Sequence, residues 1–549
     1  MGKFRKAAIT CDHGICSEMG RDIMLKGGNA VDASIASLFC MGVTNPQSSG
    51  LGGLHNDLLQ QNLKSCKVVD ARETAPAASS RDMFGSDEWA SKYGYRAIAT
   101  PGELAGYWLA YKEFGSGRVN WSELVLPSAA LARNGVPVSE FLAYVLGVKE
   151  KHFRTLPSMQ GWINSATDKV YQFGDLIRRT SLANTLEKIA FSPDPVHMFY
   201  HGEMADIIVE EIQRNGGLLT KEDLAKYKPK VYERPLVSDG FFENQRMCGP
   251  PPPSSFAVMQ SLVAVMVSRF SDHKREANPM SAVLDDTAFY HWMIEAQKFA
   301  YSQRTKLGDV DFVPEALQLS LNMSSREYTK AVLKKIPPHA MFPAYYSIDL
   351  TAPKEDHGTS HVSVIDAEGN GVSATSTVNR WFGAVVQSEK LGVVWNDEMD
   401  DFSSPGMSNG FGFAPSPTNF IEPGKRPMSS MSPTIMYDWK TGDIKFAIGA
   451  SGGSKIISAM AKPIIRVLCF NETIKEAIDA PTLHNQFTPD ITQFEDTQLV
   501  TDLEQKFQQK FKTSTGFEGI VQAIHVGDDG FLYANGDYRR RSNMHPGGF

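Results

Sequence analysis

The sequence lacks the features that mark several common protein classes. No apolar run approaches the roughly 20 residues of a membrane-spanning helix, and the longest candidate, Phe256 to Val267, is interrupted by Gln260 and Ser261. No block of lysine and arginine stands out and the formal net charge is -7, so nothing favours a nucleic-acid partner. A small polar substrate fits this composition better.

Neither the glycine-rich stretch nor the cysteines have the spacing of a known phosphate-binding or metal-binding motif. The glycine-rich stretch 49–53 contains no Gly-x-Gly-x-x-Gly and no following Lys-Ser/Thr, so we predict a tight turn rather than a phosphate loop. Apolar residues 7–10 are too few for a signal peptide, and we expect a mature or truncated form without a visible anchor. Six cysteines lie without metal-type spacing, namely Cys11, Cys16, Cys40, Cys66, Cys248 and Cys469.

Hydrophobic periodicity predicts a chain of mixed α and β structure. We expect a helix over residues 15–44 that is interrupted at Gly27-Gly28, and a mostly helical pattern over residues 100–270. Strands predominate after residue 358, with one helix at 456–470. The predicted strands cover residues 359–366, 371–377, 392–395, 434–437, 445–449, 520–525 and 532–535.

The junction between Gly358 and Thr359 is the most informative point of the chain. Two alternating β-branched runs flank the acidic turn 367–370 and predict a hairpin whose first strand begins at Thr359. If the bond before Thr359 were cut, this residue would carry a free α-amine, with a reference pKa of about 7.7–8.0, beside its own hydroxyl. Such an amine can act as general base for the hydroxyl. The alternative is a glycine turn that enters an ordinary threonine-rich strand.

Eight motifs in order extend this pattern along nearly the whole chain. They occupy residues 27–33, 70–76, 100–103, 299–304, 358–361, 373–379, 396–405 and 423–434. Through them the chain resembles the γ-glutamyltransferase (glutathione hydrolase) family. The resemblance implies a four-layer αββα sandwich of the N-terminal nucleophile hydrolase type and of α+β class. It also implies one compact unit of two interleaved fragments, residues 1–358 and 359–549, which form a heterodimer after self-cleavage and need no cofactor.

The resemblance assigns the chemistry to the second fragment. Thr359 would attack its own upstream carbonyl during maturation and then the γ-glutamyl amide of glutathione or a related compound. The resulting ester would pass its glutamyl group to water or to an amino acid or peptide. Thr377 matches the threonine that hydrogen-bonds the nucleophile, and Gly452 and Gly453 would present backbone N–H groups to the oxyanion.

Recognition of the glutamyl group needs both a cation and acceptors. The resemblance places Arg72, Ser429 and Ser430 at the donor carboxylate. It places three acceptors at the donor ammonium, namely Asn379, Glu398 and Asp401. A metal-binding interpretation of residues 398–401 is not favoured, because no histidine or further carboxylate cluster completes a ligand shell.

The sequence leaves three alternatives open. Residues 449–453 satisfy Gly-x-Ser-x-Gly, and a serine hydrolase would use Ser451 with Asp479 and His484. His357 and His361 have the spacing of a zinc pair, but only on a helix, and the sequence predicts a strand there. A non-catalytic relative is a further possibility, motivated by the unusually polar segment 54–61.

Location and acceptor preference are also expectations of the resemblance. Animal members of the family have a disulfide at the positions of Cys16 and Cys40, and their catalytic part lies outside the cell, so we expect an extracellular or outer-surface location. Three N-glycosylation sequons, at Asn120, Asn322 and Asn471, are compatible with it. Trp381 stands beside Asn379 where many relatives have a smaller or tyrosyl residue, and we expect it to influence which amines enter the site.

Overall fold

The computed structural model describes residues 1–61, 65–87, 89–239, 244–271, 287–347, 351–352, 358–406, 414–513 and 519–549. Its helices are α1 (Gly14–Leu25), α2 (Ala30–Thr44), α3 (Glu103–Phe114), α4 (Trp121–Asn134), α5 (Glu140–Thr155), α6 (Thr180–Phe191), α7 (Pro195–Tyr200), α8 (Glu203–Arg214), α9 (Lys221–Lys226), α10 (Phe256–Phe270), α11 (Thr287–Arg304), α12 (Pro314–Met323), α13 (Arg326–Leu333), α14 (Lys455–Phe470), α15 (Ile474–Asp479) and α16 (Val500–Phe507). None of these helices is long and apolar enough to cross a membrane.

Fourteen strands build two large sheets. They are β1 (Gly2–Phe4), β2 (Ala8–Cys11), β3 (Leu54–Gln61), β4 (Ser65–Asp70), β5 (Lys230–Tyr232), β6 (Leu236–Asp239), β7 (Gln245–Gly249), β8 (Thr359–Ile365), β9 (Gly371–Thr377), β10 (Thr434–Asp438), β11 (Ile444–Ser451), β12 (Ile520–Val526), β13 (Leu532–Gly536) and β14 (Gly547–Gly548). The first sheet has the order β1-β13-β12-β11-β10-β7-β6, and the second has the order β14-β2-β8-β9-β3-β4-β5. Strands from residues 1–358 and from 359–549 are therefore hydrogen-bonded to one another in both sheets.

The two sheets stack face to face, and helices cover their outer faces. Along β8 the side chains alternate, because successive residues of a strand point to opposite faces. Val362 and Val364 belong to the apolar core beneath α1 and α2, whereas His361 and Ser363 point between the sheets. Helices α10 and α14 pack on the outer face of the other sheet. This arrangement confirms the predicted four-layer αββα sandwich.

The space between the sheets is apolar at one end and polar at the other. Ile365, Ile435 and Ile524 belong to an apolar cluster at the end distant from Thr359. Nearer Thr359 the buried side chains are polar, and the Gln522 amide joins Thr10 (2.8 Å) to Asp12 (2.9 Å). The polar end therefore lies beside the predicted nucleophile.

Gly449 on β11 provides a stability prediction, because the ring of His361 packs on its backbone. A Cβ at this position would lie 2.0 Å from Cε1 of His361, which itself is fully buried. We expect Gly449→Ala to lower the free energy of unfolding by about 2–3 kcal/mol, as overpacked cores typically do. The matched control is Gly147→Ala on α5, where a Cβ meets nothing within 4 Å. That control should be stabilised by up to about 1 kcal/mol, since alanine is the better helix former. Urea unfolding measures the free energy of unfolding of both variants. Equal changes in the two would contradict the close packing of His361 on Gly449.

Several local predictions differ from the structure. Residues 392–395 form no strand but only isolated bridges, Gln387 to Val394 and Gly52 to Trp395, because the segment turns back on itself at Gly392. Strands β5 to β7 fall in the region predicted to be mostly helical; they are short, β6 pairs with its neighbour β7, and β5 and β7 pair with strands far along the chain. The polar segment 54–61 is strand β3 throughout, paired to β9 and β4. The interrupted helix of residues 15–44 is confirmed as α1 and α2.

Two disulfides are present in the structure. Cys16–Cys40 joins α1 to α2, as the resemblance implies. Cys66–Cys248, which we did not predict, joins β4 of one sheet to β7 of the other across 182 residues of sequence. The second bridge could not be foreseen, because its partners come together only when the sheets stack.

Candidate active site

The hairpin β8–β9 places Thr359 directly opposite Thr377. Both residues are almost fully buried, and their hydroxyl oxygens are 3.4 Å apart, with Thr359 as donor. The Thr377 hydroxyl in turn donates to the carbonyl oxygen of Gly358 and accepts the backbone N–H of Asn379 at 2.8 Å. A continuous set of hydrogen bonds thus connects the Thr359 hydroxyl to the carbonyl of the preceding residue.

A buried ion pair holds the other side of Thr359. Arg540 Nη2 lies 3.0 Å from the Asp12 carboxylate and donates to the Thr359 carbonyl oxygen at 3.3 Å. Burial raises the pKa of Asp12, while the Arg540 charge opposes that shift. We did not identify this pair from the sequence; the arginine run at residues 539–541 was its only signal.

Arg72 is held by carboxylates and carbonyls from the second fragment. Its guanidinium donates to Glu398 and, at 2.5 Å, to Asp401, and also to the carbonyl oxygens of Pro427 and Met428 at 3.1 Å each. Burial disfavours the charge, but the Glu398 and Asp401 carboxylates raise the pKa of Arg72 above its ordinary value. The structure therefore brings three of the predicted donor-site residues into direct contact.

Ser429 and Ser430 lie in the loop before β10 and are buried. The Ser430 hydroxyl accepts from Arg304 Nη2 at 2.9 Å. The carbonyl oxygen of Ser429 accepts from the Ser255 hydroxyl at 2.6 Å. Arg304 closes the last of the upstream motifs, but its contact with Ser430 was not predicted. This hydrogen bond holds the loop that carries Ser430 in place, and the guanidinium adds positive charge near the predicted carboxylate site.

Several buried acceptor oxygens of the predicted donor site and of the adjoining Glu73 have no hydrogen-bond partner in the described part of the chain. They are Asn379 Oδ1, Glu398 Oε2, and both carboxylate oxygens of Glu73. Burial raises the pKa of Glu398 and of Glu73 well above their ordinary values, against the influence of Arg72. Because unpaired buried acceptors are costly, the arrangement is suited to receive a donor such as an ammonium group.

Gly452 and Gly453 form the turn between β11 and α14. Both have positive φ angles, 116° and 61°, which glycine adopts without steric cost. The turn follows Ser451, whose hydroxyl accepts from Arg540 at 3.4 Å. The oxyanion role of the two glycines stays a prediction.

The residues nominated for a serine triad do not come together. His484 contacts the hydroxyl of Ser458 at 2.9 Å, and Asp479 pairs with Lys475 on α15. Burial lowers the pKa of His484 to about 3. Among the described residues, no histidine is hydrogen-bonded to the Ser451 hydroxyl, which contacts Arg540 instead. Of the alternative zinc pair, His357 lies outside the described residues, and His361 bonds the hydroxyls of Thr375 (2.8 Å) and Ser363 (3.1 Å).

The buried imidazole of His361 makes stability depend on pH. Burial lowers its pKa to about 3, so between pH 3 and 6.5 the unfolded chain binds a proton that the folded chain does not. Stability from this group is therefore complete above pH 6.5 and falls as the pH decreases. We expect His361→Gln to reduce the pH dependence of the unfolding free energy by about 1 kcal/mol per pH unit between pH 6 and 4.5. Urea unfolding at several pH values measures it. The exposed His201→Gln is the control, and equal slopes in all three proteins would contradict the assignment.

The fold of this site is shared with solved structures. A cephalosporin acylase from Bacillus halodurans superimposes with a TM-score of 0.82 at 22% identity, covering 100% of this chain and 96% of its own. The γ-glutamyltranspeptidase of Helicobacter pylori matches with a TM-score of 0.54 at 29% identity over 60% of this chain and 92% of its own. The stacked sheets with a threonine at the start of a central strand thus have the architecture of the N-terminal nucleophile hydrolases.

Sequence comparison identifies the family. The gamma-glutamyltranspeptidase profile matches residues 16–546, and the chain belongs to this family. Scoloptoxin SSD14 of Scolopendra dehaani is 37% identical over 99% of this chain and 93% of its own length. Glutathione hydrolase 2 of Arabidopsis thaliana is 35% identical over 89% and 82%, and the glutathione hydrolase proenzyme of Escherichia coli is 34% identical over 97% and 90%.

Proposed function

We propose that this protein is a γ-glutamyltransferase and glutathione hydrolase that uses Thr359 as its nucleophile after cutting its own chain before that residue. Family membership supports the reaction class. The observation that supports the nucleophile is the hydrogen-bonded connection from the Thr359 hydroxyl through Thr377 to the Gly358 carbonyl oxygen. This contact polarises the carbonyl that maturation must attack and holds the attacking hydroxyl beside it.

In maturation, Thr359 Oγ1 attacks the carbonyl carbon of Gly358. The new C–O bond forms an ester, the peptide C–N bond breaks, and the nitrogen of Thr359 takes the proton that the hydroxyl gives up. Water then hydrolyses the ester, which leaves a carboxylate on Gly358 and a free α-amine on Thr359. The two fragments stay together as a heterodimer, because strands of both are paired within each sheet.

In turnover, the free α-amine takes the proton of the Thr359 hydroxyl, and the hydroxyl oxygen attacks the carbonyl carbon of the donor's γ-amide. The C–N bond of the amide breaks, and the leaving amine takes that proton. A γ-glutamyl ester remains on Thr359. Water or the amine of an amino acid or peptide then attacks the ester and restores the hydroxyl.

The donor's two charged groups fit the two halves of the buried site. Its carboxylate would bind between Arg72 and the serine hydroxyls of residues 429 and 430. Its ammonium would satisfy the unpartnered oxygens of Asn379 and Glu398, with Asp401 alongside. Because Arg72 already bonds Glu398 and Asp401, the carboxylate has to share or replace one of these bonds. The relatives named as glutathione hydrolases make glutathione the first donor to test.

An extracellular or outer-surface location is part of the proposal. The two disulfides favour an oxidising compartment. All three sequon asparagines, Asn120, Asn322 and Asn471, are exposed and thus open to glycans.

Denaturing gels with intact-mass measurement test the proposal. By residue share of 60.6 kDa, cleavage before Thr359 should give fragments of about 40 and 21 kDa before any glycan. Thr359→Ala should remain one band and release no glutamate from glutathione, whereas Ser451→Ala should still be cleaved. A wild-type protein that stays uncleaved and inactive, or a Thr359→Ala variant that is cleaved and active, would contradict the proposal.

A further inference from the structure

The backbone from Asn379 onward adopts an unusual conformation around Trp381. Positive φ angles occur at Asn379 (75°), Phe382 (64°) and Val385 (54°); for a β-branched residue such as Val385 this is a genuine outlier. Phe382 is fully buried, with its ring edge-to-face against Phe153. Trp381, the preceding residue, is only partly buried and packs at the margin of the same apolar cluster. Strain of this kind concentrates at functional sites.

Trp381 belongs to a cluster of three rings with Phe141 and Tyr144 from the first turns of α5, here called the aromatic wall. The Trp381 ring centroid lies 6.0 Å from that of each partner, at interplanar angles of 82° and 84°. Phe141 is half-buried, and Tyr144 is 60% exposed. Trp381 and Phe141 pack partly against the apolar cluster that contains Phe382, and Tyr144 presents aromatic surface to solvent at the edge of that cluster.

The aromatic wall is connected to the region of Thr359 through Arg540 and through Arg380. The Arg540 guanidinium lies 4.5 Å from the Phe141 ring centroid and donates to the Thr359 carbonyl oxygen. In addition, a Cβ at Gly358 would lie 2.7 Å from the carbonyl carbon of Arg380, so the segment that carries Trp381 passes close to the residue before Thr359. None of the three wall residues belongs to the donor set around Arg72.

We propose that the aromatic wall is the subsite for the amine partner of the reaction, and that it favours acceptors and leaving groups with an aromatic or other large apolar side chain. The inference rests on the proposed γ-glutamyl transfer. An edge-to-face contact with exposed rings would hold such a side chain while its amine attacks the ester carbonyl. The amine nitrogen forms the new C–N bond, the ester C–O bond breaks, and the amine proton passes through the Thr359 α-amine to its Oγ1.

Acceptor kinetics with glycyl-phenylalanine and glycyl-glycine test the subsite. Wild type should prefer glycyl-phenylalanine, and Trp381→Ala should reduce that preference about threefold to tenfold, as expected for the loss of an aromatic contact. Trp381→Tyr should restore part of it. Glutathione hydrolysis without acceptor should change much less than the preference does. The matched control is Trp439→Ala, an exposed tryptophan beside β10, which should leave the preference unchanged.

Calorimetric binding of the two dipeptides separates this inference from the proposed function. If no γ-glutamyl turnover is found but Trp381→Ala still weakens glycyl-phenylalanine binding alone, the proposed function fails and the subsite stands. If turnover is normal and Trp381→Ala affects both dipeptides equally, the wall only packs α5 against the body, and the inference is overturned. Absence of glycyl-phenylalanine binding to wild type would also overturn it.

Discussion

Thr377→Val is expected to slow self-cleavage about 10²- to 10³-fold, the usual effect of removing one donor to a developing oxyanion. Valine keeps the shape of threonine but cannot donate to the Gly358 carbonyl or accept from the Thr359 hydroxyl, as the native side chain does. The carbonyl then loses its polarisation and the nucleophile loses its orientation. The measurement is the fraction of cleaved chain over time, by denaturing gel, after expression and purification.

The control for that experiment is Thr377→Ser, which keeps the hydroxyl and should recover most of the cleavage rate. Melting temperatures of both variants show whether the fold is intact, since residue 377 lies on the central strand β9. Rapid cleavage by a folded Thr377→Val protein would show that the Thr377 hydroxyl does not take part in maturation.

Arg72→Gln is expected to remove most donor binding and to destabilise the protein. Glutamine leaves two buried carboxylates, Glu398 and Asp401, without their cation. Breaking such a buried pair by removing one partner costs about 3–5 kcal/mol. The donor carboxylate loses the same cation, so kcat/KM for glutathione should fall by about 10²- to 10³-fold, mainly through KM. Self-cleavage should continue, because the hydrogen bonds of Thr377 include no atom of Arg72.

Urea unfolding and hydrolysis kinetics of Arg72→Gln should be compared with those of Arg118→Gln. Arg118 is 51% exposed and pairs with Glu368 at 2.6 Å, and such surface pairs contribute little to stability. Similar small losses of stability and of kcat/KM in both variants would show that Arg72 neither stabilises the acidic turn at 398–401 nor binds the donor. Arg72→Lys should retain part of the stability but little of the donor affinity, since lysine lacks the planar fork.

Much of the fold was accessible from the sequence because its signals are local. The alternation of β8 and β9 and the glycines between α1 and α2 depend only on neighbouring residues, and the structure confirms these elements. The strands β5 to β7 escaped prediction because each is only three to five residues long, and because β5 and β7 pair with strands distant in the chain. Periodicity cannot be recognised over so few residues.

The candidate site was likewise predictable in its residues but not in its contacts. The sequence by itself determined the residue types: the Gly358-Thr359 junction, the matching Thr377, Arg72 and the acidic turn at 398–401. Only the tertiary structure decided the contacts that join them. The Asp12–Arg540 pair behind Thr359, Arg304 beneath Ser430, and the disulfide between the sheets each link residues more than 100 positions apart. Such contacts arise when whole layers pack, and no local pattern of side chains records which layers will meet.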